Sequence, residues 1–68
     1  MNYYVMQTAL SSGSKPQLVQ WAKTQSDAVA YARQQLDLWR ETGVANPPIY
    51  EVHYSGLRNK TALWSSLD

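Results

Sequence analysis

The sequence predicts one small α+β domain over residues 1–68, with a single helix packed on a four-stranded, mainly antiparallel sheet. Three observations support this fold class. The chain has 68 residues, a length that suits one domain rather than two. A long amphipathic segment lies in its middle, and short segments rich in strand-forming residues lie on both sides of it. The predicted order is therefore β-β-α-β-β, for which one helix on one face of the sheet is the simplest packing.

The two N-terminal segments are expected to pair as an antiparallel hairpin. Tyr3 to Leu10 is rich in tyrosine and other strand formers. Residues 11–16 contain serine, glycine and proline, which favour a turn. The segment from Gln17 to Lys23 follows as the second strand. Its alternation is expected to place Leu18, Gln20 and Ala22 on one side and Val19, Trp21 and Lys23 on the other.

The central segment carries start and stop signals of a helix. Thr24 followed by Asp27 resembles a capping box, with the threonine as N-cap and the acid close to the positive end of the helix dipole. Gly43 suits the left-handed position after the last helical residue. The two prolines within residues 46–48 prevent any continuation. We therefore predict a helix that begins after Thr24 and ends before Gly43.

A step of about 100° per residue divides this helix into an apolar arc and a polar face. The apolar arc comprises Ala28, Ala32 and Trp39 at its centre, flanked by Val29 and Leu36 on one side and by Tyr31 and Leu38 on the other. The polar face comprises Ala30, Arg33, Gln34, Asp37, Arg40 and Glu41. Arg33 and Asp37 are spaced as an ion pair on the surface of the helix. The small alanines should allow the helix to lie close to the sheet.

The C-terminal part predicts two further strands. Residues 49–54 alternate as a half-buried strand does. The alternation places Tyr50, Val52 and Tyr54 on one side and Ile49, Glu51 and His53 on the other. Residues 55–60 have the composition of a loop. Thr61 to Trp64 reads as a last strand that pairs with its predecessor, although the spacing of Leu63 and Leu67 also allows a short helix.

Composition and motifs argue against an enzyme or a metal protein. The chain has one histidine and no cysteine, so no zinc, redox or disulfide framework is expected. His53 and Glu51 are spaced as a strand pair facing solvent, without a nucleophile or second acid beside them. We therefore predict a non-enzymatic protein with no catalytic, metal or cofactor residues. No apolar stretch approaches the about 18 residues of a membrane span, and the lack of cysteine suits the reducing cytoplasm.

The number of aromatic side chains indicates a binding surface. The chain has three tryptophans and five tyrosines, more than the one sheet face covered by the helix should hold. Tyrosine and tryptophan are enriched at protein interfaces. The predicted partner-binding anchors are Tyr3, Tyr4, Trp21, Tyr50, Tyr54 and Trp64, with Arg58 and Lys60 as rim contacts. These residues would bind another protein or close a homodimer, and an edge strand would be able to extend a partner's sheet.

A nucleic-acid site is the alternative interpretation. Lys15, Arg58 and Lys60 lie in predicted loops and Lys23 lies at the end of a strand. If the loops converge, these cations form a basic patch beside an aromatic ring, an arrangement that stacks bases and holds phosphates. The net charge of +1 favours solubilising charge instead.

Two resemblances to known families accompany these patterns. The run from Thr24 to Glu41, with a threonine cap, an acid and alanine-rich periodicity after a hairpin, resembles the helix of HicB-type antitoxins. In length and element order, nearly the whole chain is similar to small phage-encoded anti-CRISPR proteins. The second resemblance implies a plug that occupies a host protein or protein–RNA complex in the cytoplasm and excludes nucleic acid from it. The first implies an antitoxin.

Overall fold

The computed structural model describes residues 2–9, 15–56 and 61–67. Within these ranges the chain forms one helix and one four-stranded sheet in the order β2-β1-β3-β4, with every neighbouring pair antiparallel. The predicted α+β class and element order are confirmed. The elements are β1 (Tyr3–Thr8), β2 (Gln17–Ala22), α1 (Gln25–Glu41), β3 (Ile49–Tyr54) and β4 (Trp64–Ser65).

The ends of α1 follow the capping signals in the sequence. The backbone N–H of Asp27 donates to Thr24 Oγ1 at 3.1 Å, so the threonine satisfies one of the free donors of the first turn. Gly43 has a φ of +79°, the left-handed conformation that glycine adopts without a steric penalty. Both predicted boundaries of the helix are confirmed.

The core lies between α1 and one face of the sheet. Ala28 and Ala32 of the helix, and Val5 and Val52 of the two central strands, are all 0% exposed. Because an alanine projects only one methyl group, the helix axis can approach the sheet closely at these positions. The buried hydrophobic residues of the described chain are Val5, Ala22, Ala28, Ala32, Leu36, Tyr50 and Val52.

A chain of hydrogen bonds joins the C-terminal half of α1 to the two central strands. Trp39 Nε1–H donates to Tyr50 Oη at 3.0 Å, and the Tyr50 hydroxyl donates to Gln7 Oε1 at 3.0 Å. Tyr50 itself is 1% exposed. Its hydroxyl is thus satisfied both as acceptor and as donor, which allows a tyrosine to lie in the core without an orphaned polar group.

Strand β2 departs from the predicted alternation. Tyr4 lies opposite Trp21 and Met6 lies opposite Leu18, with a bulge in the ladder between Val5 and Met6. Leu18 and Trp21 are therefore three positions apart, with two residues between them, although both face the same side of the sheet. The expectation that they face opposite sides was wrong, because a bulge inserts one extra residue and reverses the alternation beyond it.

The surface of α1 also differs in detail from its helical projection. Leu36 is buried and Trp39 is half-buried, whereas Leu38 is 49% exposed and lies outside the core. Asp37 pairs with Arg40 at 3.9 Å rather than with Arg33 as expected. Both charged side chains are largely exposed, so this pair contributes little to stability.

The C-terminal segment forms a strand, as the first of the two alternatives predicted, but a shorter one. Trp64 and Ser65 pair with Val52 and Glu51, and the N–H of Leu63 donates to the carbonyl of Val52 at 2.7 Å. Residues 66–67 form a turn rather than a helix.

Several predicted features lie outside the described residues. These are the end of the first strand at Leu10, most of the turn that follows it, and the loop positions Arg58 and Lys60. Among the residues described, no helix has both the length and the apolar character needed to cross a membrane.

Replacing Tyr50 by phenylalanine tests the hydrogen-bonded chain. Tyr50→Phe leaves the ring in place but removes the partners of both Trp39 Nε1 and Gln7 Oε1. We expect the free energy of unfolding, measured by urea denaturation, to fall by about 1–3 kcal/mol. Tyr54→Phe, which removes the same atom from a half-buried ring, is the control and should change it by less than about 0.5 kcal/mol. Equal effects of the two variants would contradict the assignment.

The same variant tests a dependence on alkaline pH. Burial raises the pKa of the Tyr50 hydroxyl above its ordinary value of 10.0, although the hydrogen bond from Trp39 opposes the shift. The folded chain therefore holds this proton more tightly than the unfolded chain does. The stability difference between wild type and Tyr50→Phe should be constant below about pH 10 and should shrink as the pH rises further. Denaturation curves at several pH values measure it, and a difference that grows above pH 10 would contradict this prediction.

Candidate functional site: the open face of the sheet

The sheet face opposite α1 carries no helix within the described part of the chain. Alternation from the buried Val5 and Val52, together with the strand register, decides which side chains face this side. We call it the open face. Its described members are Leu18 and Trp21 of β2, Tyr4, Met6 and Thr8 of β1, Ile49, Glu51 and His53 of β3, Ser65 of β4, and Leu63 just before β4.

Three rings form a continuous row across the open face. Tyr4 lies between Trp21 on one neighbouring strand and His53 on the other. The ring centroids of Tyr4 and Trp21 are 5.3 Å apart with the planes tilted by 58°. Those of Tyr4 and His53 are also 5.3 Å apart, with the planes stacked at 10°. We call these three residues the ring row. Cross-strand aromatic contacts of this kind fix side-chain orientation as well as adding stability.

His53 is the buried end of the ring row. It is 9% exposed although it lies on the open face, with Tyr4 stacked against it on one side. Extending the β3–β4 register by one residue places Leu63 on its other side. Its Nε2 lies 3.6 Å from Glu51 Oε1, whereas its buried Nδ1 has no hydrogen-bond partner among the described residues. His53 therefore acts mainly as a packed ring rather than as a solvent-facing polar group.

Large, partly exposed apolar side chains lie within the ring row and beside it. Trp21 is 42% exposed, Leu18 45% and Leu63 40%. Met6 lies half-buried opposite Leu18 in the next row of the sheet. Exposed apolar residues that occur singly are ordinary, but a contiguous set indicates an interaction surface.

The charge on the open face is low. Among its described members, Glu51 alone has a formal charge, and lysine and arginine do not occur. Lys15 and Lys23 precede and follow β2, at opposite ends of that strand. Lys15 lies at the end of the sheet where β3 begins, and Lys23 lies at the end where β3 finishes. The other cations of the predicted basic patch, Arg58 and Lys60, lie outside the described residues, so the convergence of the loops stays a prediction.

The predicted anchors divide between the two faces of the sheet. Tyr4 and Trp21 lie together on the open face. Tyr3 and Tyr54 lie on the helix side, with ring centroids 5.1 Å apart. Gly56 lies against Tyr54, since a Cβ at that glycine would be 2.8 Å from Tyr54 Cε1.

Two further predicted anchors, Tyr50 and Trp64, do not belong to the open face. Tyr50 lies in the core and is not accessible to a partner. Its prediction as an anchor was wrong, because the helix covers the strand face on which it lies. Trp64 packs half-buried against the same core. Arg58 and Lys60 lie outside the described residues.

Sequence reasoning missed several members of this surface. Leu18, Met6, Leu63 and His53 were not among the predicted anchors. Leu18 was assigned to the side opposite Trp21, and only the bulge brings the two together. His53 was expected to face solvent beside Glu51, and its contact with Tyr4 depends on β1 and β3 being neighbours. A search for aromatic or apolar residues in the register of Tyr4 would have found it once that pairing was known.

Comparisons with protein-family models, with curated proteins and with solved structures found no match to this chain. The geometry described above is therefore the basis for assigning a function. In the described ranges, no three histidine, cysteine, aspartate or glutamate side chains lie together as a metal ion would require.

Replacing His53 by phenylalanine tests its role in the ring row. The variant keeps a flat ring against Tyr4 and removes the buried, unpaired Nδ1. An unsatisfied buried polar atom destabilises a fold by about 1–3 kcal/mol. We therefore expect His53→Phe to raise the free energy of unfolding, measured by urea denaturation, by about 1 kcal/mol over wild type. His53→Ala should lower it by about 2–3 kcal/mol. A His53→Phe variant as unstable as His53→Ala would show that the histidine nitrogens, not the ring, are what the fold requires.

Proposed function

We propose that this protein is a non-enzymatic protein-binding module whose docking surface is the open face of its sheet. The observation that carries the proposal is the ring row, because it places Trp21 and Tyr4 side by side on a face that no described helix covers. Aromatic side chains are the residues that most often supply the energy of protein interfaces. The module acts by occupying a surface of its partner.

The chemistry of the open face supports a protein partner over a nucleic acid. Binding to a nucleic acid requires cations that neutralise phosphates, and the described members of the open face provide Glu51 as their only formal charge. Their exposed atoms belong mainly to aromatic and aliphatic groups. Such a surface complements an apolar patch on another protein, with polar residues at its rim.

The size of the open face supports one compact contact. Three six-residue strands about 20 Å long and about 4.8 Å apart, with the two-residue β4 beside them, give a patch of roughly 300 Å². Standard interfaces bury about 800 Å² on each partner. The open face alone thus provides less than half of a standard interface, so the partner must contact further residues around the sheet or bind transiently.

The proposed partner is a host defence complex of protein or protein and RNA, which the module inhibits by surface occlusion. This part of the proposal depends on the resemblance in length and element order to phage-encoded anti-CRISPR proteins. The confirmed β-β-α-β-β order is consistent with it. Architecture by itself is a poor guide to function, and the partner class is therefore tested separately from the docking surface.

The test of the proposal measures binding to purified CRISPR interference complexes by calorimetry and inhibition of their DNA binding. We expect the wild-type protein to bind one of these complexes. Trp21→Ala should weaken that binding about 30-fold or more, the effect of losing an interface residue that contributes about 2 kcal/mol. The matched control is Leu38→Ala, because Leu38 is 49% exposed on the helix and lies away from the open face. It should bind as wild type does, and circular dichroism should show both variants folded.

Three results would contradict different parts of the proposal. Equal binding by Trp21→Ala and wild type would eliminate the open face as the docking surface. The absence of binding to every complex would eliminate the partner class. A shift of duplex or single-stranded nucleic acid by the protein alone at low salt would favour the nucleic-acid alternative instead.

A further inference from the structure

The two edges of the sheet differ in a way that points to a second interaction surface. At one edge, β4 has two residues, which leaves little backbone for another strand to pair with. At the other edge, β2 has six residues and contains neither a charged residue nor a proline. Sheets usually protect an exposed edge with shortness, charge or proline. Within the described residues, the outer side of β2 is left as a long, uncharged edge.

The inside–outside pattern of β2 is the same in both directions. The register and the core contacts place Ala22 and Val19 on the helix side and Trp21 and Leu18 on the open face. Gln20 lies opposite Val5, and Gln17 opposite Gln7, whose side chain bonds to the buried Tyr50. From Gln17 to Ala22 the pattern reads helix side, open face, helix side, helix side, open face, helix side.

This palindrome is what antiparallel pairing of two identical strands requires. Residues directly opposite each other in an antiparallel ladder share a face. In a regular six-residue strand, the first and last residues face opposite sides, so self-pairing over its full length would mismatch every pair. The bulge removes the mismatch, because it places two consecutive residues of β2 on the same side.

We propose that β2 pairs with β2 of a second copy of this chain, with Leu18 of each copy opposite Trp21 of the other. The same register places Val19 opposite Gln20 and Gln17 opposite Ala22. A two-fold axis perpendicular to the sheet relates the copies, as in other isologous dimers. The product is one eight-stranded sheet with both helices on one side and both open faces on the other.

The side chains of β2 support a second copy as the occupant. Leu18 and Trp21 are 45% and 42% exposed in the single chain, and self-pairing brings each against the other twice. Large side chains directly opposite each other on one face of an antiparallel pair lie within contact distance, so this pairing removes apolar surface of both residues from water. The backbone groups on the outer edge of β2 gain hydrogen-bond partners at the same time.

The charges at the ends of β2 predict how salt acts on this dimer. Lys15 and Lys23 flank the strand and are exposed, and the register places Lys23 of one copy near Lys15 of the other. Their repulsion is screened by salt. Added sodium chloride should therefore strengthen the dimer, whereas weakening by salt would contradict the register.

The proposal does not depend on the proposed function. Gln20 lies on the helix side of β2, so substitutions there change the edge and leave the open face intact. Pairing of two edges gives a smaller contact than a standard interface, and we expect a dimer that dissociates on dilution.

The experiment is sedimentation equilibrium from micromolar to millimolar protein, with a charge-exchange pair at Gln20. Wild type should change from the mass of one chain toward that of two. Gln20→Lys should keep the mass of one chain, because the two lysines would lie side by side across the two-fold axis and repel each other. Gln20→Glu should keep that mass for the same reason. An equimolar mixture of the two variants should dimerise at least as well as wild type. Gln34→Lys makes the same charge change on the exposed face of the helix and should dimerise normally.

Three outcomes of this experiment would overturn the proposed pairing of β2. Wild-type protein that stays at the mass of one chain at millimolar concentration shows that β2 does not pair with itself. Dimers that form equally well with Gln20→Lys use another surface. A mixture that fails to recover the dimer, with both variants folded by circular dichroism, contradicts the two-fold arrangement.

Discussion

The structure depends on the packing of helix α1 against one face of the sheet. Ala28 and Ala32 lie flush against Val5 and Val52, with none of the four exposed to solvent, and this contact fixes which side of each strand becomes core. Tyr50 is buried as a consequence and needs the hydrogen bonds to Trp39 and Gln7 that satisfy its hydroxyl.

The contact between α1 and the sheet also leaves Tyr4 and Trp21 on the opposite face, where they cannot contribute to the core. The packing of α1 thus decides which aromatic side chains form the core and which remain on the open face.

The bulge in β2 is the second determinant, and it acts on both proposed surfaces. Without the extra residue, Leu18 and Trp21 would face opposite sides, and the open face would lose one of its largest exposed side chains. Bulges locally increase strand twist and re-aim side chains. Here the effect is to gather apolar side chains on one face and to make the outward pattern of the edge strand symmetrical. One inserted residue therefore shapes the docking face and the edge together.

Local signals in the sequence predicted the helix and β3 well, because their causes are local. Thr24 and Gly43 mark the helix ends through hydrogen bonding and backbone conformation, and the alternation of residues 49–54 depends only on the pleat of a strand. The position of Tyr50 could not be predicted in the same way, since alternation groups Tyr50 with Val52 but does not say which face the helix covers.

The ring row could not be predicted from local signals either, because it depends on which strands are neighbours in the sheet. His53 meets Tyr4 through the pairing of β1 with β3, a contact between segments far apart in the chain, and Trp21 meets Tyr4 through the pairing of β1 with β2. Leu18 reaches the same face only through a bulge that has no residue signature here.

The burial of His53 explains why the open face suits a docking role. An aromatic side chain that binds a partner loses less entropy if its orientation is already fixed before binding. Tyr4 is held between two rings, at 5.3 Å from each, so its orientation is set within the free protein. His53 maintains that contact although its buried Nδ1 has no hydrogen-bond partner within the described part of the chain, an arrangement that lowers stability. The three rings are therefore positioned before any partner binds. Tyr4 is the fixed centre of this surface, and Trp21 is its exposed contact.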